Sequence, residues 1–246
     1  QGTLLMGYSD VCAIQLALLA QTGVPSFAGP MLYSEFGSPN PSSFTMQNFI
    51  DGTTQAEHTV TVSQIQSRDV NLSGTFWGGN LSVLQSLAGT PYMPDINGGI
   101  LFIEDVNEQP YRIERALQTL HLAGILKKQQ AIVFGDFRMG NIRDSYDASY
   151  NLSSVMQTIQ SATKVPVLTG FPFGHISNKV TMPLGAKAHI RSTPNGGYQV
   201  RFSDYPVLNA QGLNLAQLLP QPAFDGLDFI GSHAGASQDT QIIEAE

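Results

Sequence analysis

Three short apolar runs constrain the fold more than any other feature of the chain: Ile100-Leu101-Phe102-Ile103, Ala131-Ile132-Val133-Phe134 and Val165-Pro166-Val167-Leu168. Each has strand length and lacks polar alternation, the mark of a strand buried on both faces. Between them lie segments that read as helices, about Tyr111 to Ala123, closed by Gly124, and Asn151 to Ser161. Buried strands alternating with helices specify an α/β fold with a parallel sheet. Upstream, Asn80 is placed to cap a helix over Leu81 to Ala88, which Gly89 and Pro91 stop. The stretch Gly74 to Asn80 before it reads as a glycine-rich turn.

The first residues repeat the strand-to-helix theme. Leu4 to Met6 reads as the end of a buried strand, and Gly7-Tyr8-Ser9-Asp10 turns into a helix with Asp10 as N-cap. Val11, Ile14, Leu18 and Leu19 form its apolar stripe, and Gly23 ends it. A loop from Pro25 to Ser43 leads to a short helix, Ser43 to Ile50. Residues from about Thr53 to Asn71 read as an exposed extended segment, a linker or hairpin, which sets a domain boundary near 55–73. Thr181 to Ile190 and Tyr198 to Phe202 pair as a hairpin around Pro194-Asn195-Gly196-Gly197. Residues 209–246 form a tail with little pattern.

Composition removes several classes of function. The net charge is −7 and there is no run of Lys or Arg, so no nucleic-acid partner is expected. No apolar stretch approaches the ~20 residues of a membrane-spanning helix. One cysteine, Cys12, excludes an internal disulfide and a cysteine-built zinc site, and fits a reducing compartment. No His pair has metal-ligand spacing.

In open α/β sheets ligands bind beyond the carboxyl ends of the strands. Glu104 follows Ile100 to Ile103 directly, and His175 sits in the loop after the third run. A carboxylate there can fix the imidazole tautomer, and the imidazole can take a proton from a nucleophile. The competing reading leaves Glu104 as a helix cap and His175 as an ordinary hydrogen-bonded loop residue. Asp105 and Glu108 flank the candidate acid, with Glu108 serving the next helix. Arg112, Glu114 and Arg115 have the spacing of a solvated ion-pair network. His121 suits a helix C-terminus. His58 and His189 read as surface residues. Ser9 follows a strand and precedes a helix, but Gly7-Tyr8-Ser9-Asp10-Val11 lacks the last glycine of a Gly-x-Ser-x-Gly elbow. Ser237 has no strand–turn–helix setting.

Several longer motifs occur in a fixed order: Leu5 to Asp10, Gly29-Pro30-Met31, Gly74 to Leu81, Leu101 to Arg112, Gly170 to His175 and Met182-Pro183-Leu184-Gly185. Over about residues 4 to 208 the chain resembles the LD-carboxypeptidases, the muramoyl-tetrapeptide carboxypeptidases of peptidoglycan recycling, whose family includes microcin immunity peptidases. The resemblance implies a cytoplasmic, homodimeric serine peptidase with a Ser-His-Glu triad and no metal or cofactor, acting on murein peptide to release terminal D-Ala. It matches Glu104 and His175 to the triad acid and base. It places the nucleophile in a Gly-Gly-Tyr-Gly-like elbow upstream of the segment matched by Leu5 to Asp10. On that reading Ser9 is not the nucleophile, which stays unknown, and the chain starts too late to hold it. The implied organisation is residues 1–55 as part of an N-terminal Rossmann-like domain, 56–208 as a C-terminal α/β domain carrying Glu104 and His175, and 209–246 as a tail of unknown role. Two alternatives stand beside it. One is an immunity peptidase cleaving a peptide-nucleotide antibiotic, its pocket shaped by the Trp77 region and the loop Pro25 to Ser43. The other is an inactive module that binds murein peptide.

Overall fold

Two sheets organise residues 3–211, the part of the chain that the computed structural model describes. In chain order the elements are β1 (Met6–Gly7), α1 (Cys12–Thr22), β2 (Ser26–Ala28), α2 (Ser43–Thr54), β3 (His58–Val62), β4 (Asn71–Asn80), α3 (Leu81–Ser86) and β5 (Ile100–Glu104). They continue with α4 (Pro110–Leu122), β6 (Ala131–Phe134), α5 (Leu152–Thr163), β7 (Val167–Leu168), β8 (Met182–Leu184), β9 (Lys187–Ser192) and β10 (Tyr198–Ser203). The larger sheet has seven strands in the order β3-β10-β9-β4-β5-β6-β7, and the smaller is β1-β2-β8. From β4 to β7 the neighbours are parallel, joined through α3, α4 and α5; β3, β10 and β9 add an antiparallel wing. The chain is therefore an α/β protein, as the apolar runs require.

Alternation along the parallel strands feeds two cores. Leu101 and Ile103 of β5, with Ile132 and Phe134 of β6, pack against Leu16, Leu84, Leu117 and Ile159 from the helices. Ile100 and Phe102, with Val133, face the opposite way into an aromatic cluster of Phe76, Phe171, Phe173 and Phe202. Both faces of β5 are thus dry, and each fully buried Phe or Leu contributes roughly 1.5–3 kcal/mol. Tyr8, Phe27 and Met182 join the aromatic core from the β1–β2–β8 side, so the small sheet is fixed against the large one.

Sequence patterning placed several elements differently. Gly74 to Asn80 is the second half of β4 rather than a turn. Glycines usually interrupt strands, but here they let neighbours approach. At Gly78 φ is +126°, and a Cβ would lie 1.9 Å from the Phe102 carbonyl oxygen across the β4–β5 pair. The predicted hairpin is formed by β9 and β10 alone, because Met182–Leu184 pairs antiparallel with β2. The segment read as an exposed linker contains β3, whose alternate residues His58, Val60 and Val62 are buried. His58 therefore is not a surface residue: it stacks on Phe202, and burial lowers its pKa. Trp77, expected near a pocket, is fully buried and donates to Gln129 Oε1 at 2.9 Å. The Pro25–Ser43 loop holds β2 and a π-type turn, Leu32–Phe36.

Asp10 makes no capping bond, because a 3-10 turn over Ser9–Val11 precedes α1 and places Asp10 inside it. The expected network on α4 is also dispersed. Arg112 pairs with Glu108 at 2.7 Å, Glu114 accepts from the Tyr150 hydroxyl, and Arg115 lies over the Tyr111 ring. No helix among the described residues is long and apolar enough to cross a membrane. Ser237 and most of the 209–246 tail lie outside the described residues.

Candidate active site

Glu104 ends β5, where five consecutive buried residues deliver its carboxylate to the carboxyl edge of the sheet with 1% exposure. Asn80 ends β4 in the paired register position. Its side chain works in two directions. Oδ1 caps α3 by accepting from the Val83 N–H at 3.1 Å, while Nδ2 donates to Glu104 Oε1 at 3.3 Å and to Asp105 Oδ1 at 3.1 Å. Asp105 Oδ2 accepts from the Ser82 backbone at 3.0 Å and its hydroxyl at 2.7 Å, so the flanking acid is spent on holding α3. Glu108 faces Arg112 instead. Among the three acids of this stretch, Glu104 is the one that reaches His175.

His175 leaves the aromatic core through Phe171 and Phe173, both buried. Its loop is tied to the strand end after β6, where the Asp136 N–H donates to the Phe173 carbonyl at 2.8 Å. Arg138 Nη1 donates to the His175 carbonyl at 2.9 Å. The imidazole Nδ1 lies 2.9 Å from Glu104 Oε2. The two residues joined by strand-end reasoning therefore meet. With the proton on Nδ1 directed at the carboxylate, Nε2 is left as an acceptor.

What Nε2 faces is Ser9, whose Oγ is 3.1 Å away. The sequence reading argued against Ser9, so this contact runs against that expectation. Local backbone geometry has the character of a nucleophile elbow. Ser9 follows β1, opens the 3-10 turn into α1, and has φ of +58°, a left-handed conformation that costs a non-glycine residue about 1–3 kcal/mol. In Gly-x-Ser-x-Gly both glycines serve the tight turn. Here Val11 stands at the last position, and its Cγ1 would lie 2.7 Å from a Cβ on Gly7. Gly7 alone makes room for the side chain across the turn. The missing second glycine is thus compatible with the elbow, a point the motif conceals.

Serine, imidazole and carboxylate form one hydrogen-bonded line, with the acid dry and the His175 side chain 21% exposed. Such a line can move the hydroxyl proton to Nε2 while the carboxylate steadies the cation. Among the described residues no cluster of three or more His, Cys, Asp or Glu side chains has the makings of a metal site. Cys12 is buried beneath the site, and burial pushes its thiol up to about 12, which keeps it protonated and unreactive at neutral pH. His121 lies in the last turn of α4, and His189 bonds Asn71 at 2.7 Å; neither belongs to the site.

Comparison with known proteins agrees with this architecture. Residues 73–190 match the LD-carboxypeptidase C-terminal domain. A crystal structure of muramoyltetrapeptide carboxypeptidase from Oxalobacter formigenes is similar at 44% identity and a TM-score of 0.79, over 84% of this chain and 70% of that one. A probable murein peptide carboxypeptidase of Bacillus subtilis is 34% identical over 74% of this chain and 58% of its own length. The microcin C7 self-immunity protein of Escherichia coli is 30% identical over 76% of this chain and 62% of its own. The chain thus spans about three fifths of the length of these two relatives. On this sequence and structural likeness, the chain belongs to the LD-carboxypeptidase family.

Proposed function

We propose that this chain carries the catalytic residues of a serine peptidase that hydrolyses the amide between an L-configured centre and a terminal D-amino acid, releasing D-Ala from murein tetrapeptide. The observation that carries the reading is the continuous contact from Ser9 Oγ through His175 to Glu104, 3.1 and 2.9 Å. The substrate class rests on the relatives named for murein peptide and muramoyltetrapeptide.

In the first half-reaction Ser9 Oγ bonds to the carbonyl carbon as its proton passes to His175 Nε2. Glu104 stabilises the imidazolium and holds the tautomer. The carbonyl oxygen becomes an oxyanion. The backbone N–H of Asp10, next after the nucleophile, occupies the chain position from which elbow hydrolases take one oxyanion donor. The C–N bond then breaks, and the proton on Nε2 goes to the departing amine of D-Ala. Water repeats the sequence on the acyl-Ser9 ester, giving a free carboxylate and restoring Ser9. A bound pair of partners in place of a lone imidazole also supports a chain with its own nucleophile over an inactive binding module.

The test is incubation of the purified full-length protein with the murein tetrapeptide, read by mass spectrometry. Loss of one D-Ala to leave tripeptide is the expected result. No release from tetrapeptide, with cleavage of an aminoacyl sulfamoyl nucleoside instead, would move the activity to the immunity class. No cleavage of either would remove the peptidase reading.

A further inference from the structure

One buried cluster beside the candidate site is used by none of the steps above. Lys179 is 1% exposed, and its ammonium lies 2.5 Å from Glu35 Oε1 and 3.0 Å from the Tyr8 hydroxyl. The same nitrogen sits 4.1 Å from the centroid of the Tyr8 ring. Glu35 accepts further hydrogen bonds from the Met31 N–H and the Ser34 hydroxyl, both at 2.7 Å. Burial alone would raise its carboxyl, but the Lys179 contact and these two donors outweigh it and hold the pKa below the usual value. A buried ion pair of this kind costs heavy desolvation, and apolar residues of like volume would often serve folding as well or better.

Its location gives it another use. Lys179 lies four residues beyond His175 on the same loop, and Tyr8 immediately precedes Ser9. The Tyr8–Lys179 contact therefore joins the same two segments as the Ser9–His175 contact. Tyr8 also meets the His175 ring edge-on, with centroids 5.2 Å apart, and the Phe173 ring at 5.8 Å. The loop is anchored independently on α2, where Thr45 Oγ1 accepts from the Lys179 N–H at 3.0 Å and donates to the Ser177 carbonyl at 2.7 Å. A serine in a left-handed backbone conformation persists only where its surroundings hold it. Tyr8, clamped on its hydroxyl and its ring, is the nearest such restraint.

We infer that Lys179, fixed by Glu35, is a positioning residue that acts through Tyr8 to set the Ser9–His175 geometry. This rests on the proposed roles of Ser9 and His175. Misplacement of reacting groups by about 1 Å can cost about a hundredfold in rate. Lys179→Met in the full-length protein is therefore expected to lower kcat about a hundredfold, with KM changed less than threefold. Tyr8→Phe, which keeps the ring and deletes the hydroxyl, should lower kcat about tenfold by the same loosening.

Lys179→Met leaves the buried Glu35 carboxylate without its cation, held only by hydrogen bonds from Met31, Ser34 and the Tyr8 hydroxyl, so its folding is at risk. The double variant Lys179→Met with Glu35→Leu removes both charges and should recover thermal stability. Its kcat per folded molecule stays low if Lys179 positions Tyr8. Recovery of kcat to within twofold of wild type in the double variant, or a Tyr8→Phe enzyme with wild-type kcat, would overturn the inference. Ser9→Ala run alongside separates the two levels. Turnover by Ser9→Ala sinks the nucleophile assignment itself. An inactive Ser9→Ala with fully active double and Tyr8→Phe variants sinks only the positioning role.

Discussion

Ser9→Ala in the full-length protein should lower kcat for D-Ala release by about a million-fold, with little change in KM. The magnitude follows from the way triad groups act as a unit. Without Oγ, His175 has no hydroxyl proton to accept and no acyl ester can form. The binding surface is barely altered, since one oxygen is deleted at the end of a short side chain. Ser9 Oγ faces Nε2 at 3.1 Å, so its loss should equal the loss of His175. His175→Ala is expected to match Ser9→Ala, and the double variant to be no worse than either, because a broken relay cannot be broken twice.

Glu104→Gln should lower kcat by about ten-thousand-fold while leaving the fold intact. The substitution preserves volume at a site with 1% exposure and keeps a side-chain oxygen for Asn80. What it loses is the directed charge. An amide nitrogen facing Nδ1 donates to it, which places the imidazole proton on Nε2 and turns a donor toward Ser9. The base is then in the wrong tautomer. Glu104→Ala adds a cavity and removes one of the two acceptors of Asn80 Nδ2, so its loss of rate comes with a loss of stability. The glutamine variant separates the two, because circular dichroism and thermal melting should match wild type while turnover does not. Near-normal turnover of Glu104→Gln would show that His175 does not depend on this carboxylate.

The parallel half of the sheet was legible because strands dry on both faces leave an unbroken apolar signature. Ile100 to Ile103 and Ala131 to Phe134 are all buried, and the residue that ends the first run is Glu104. Asn80 also read correctly as a helix cap, since its side chain accepts a backbone N–H locally. Long-range features were hidden. Met182–Leu184 lies just before β9 in the chain, and only its pairing with β2 sends it to another sheet. The glycines of β4 read as a turn because their purpose, contact with β5 and α1, is tertiary. His58 looked polar and exposed because its burial depends on Phe202, far along the chain.

The candidate site divides the same way. Glu104 and His175 were marked by strand ends and by motif, whereas Ser9 was set aside for want of a second glycine and because the resemblance put the nucleophile in an elbow upstream of it. The signal that would have restored it is Gly7, which can accommodate Val11 at the last motif position. Lys179 and Glu35 gave no signal at all. Lys179 follows Ser177 and Asn178, Glu35 lies between Ser34 and Phe36, and a charged side chain in such loops ordinarily faces water. Their burial arises from three segments, 31–37, 42–45 and 177–179, which meet only in the folded chain.

The most direct measurement is covalent capture of the nucleophile. A fluorophosphonate reacts with an activated serine by forming an Oγ–P bond, with fluoride leaving and the proton passing to the base. Peptide mapping of the labelled full-length protein should place the adduct on Ser9, with labelling abolished in His175→Ala. Labelling of a different serine, or equal labelling of Ser9 with and without His175, would contradict a Ser9–His175–Glu104 peptidase.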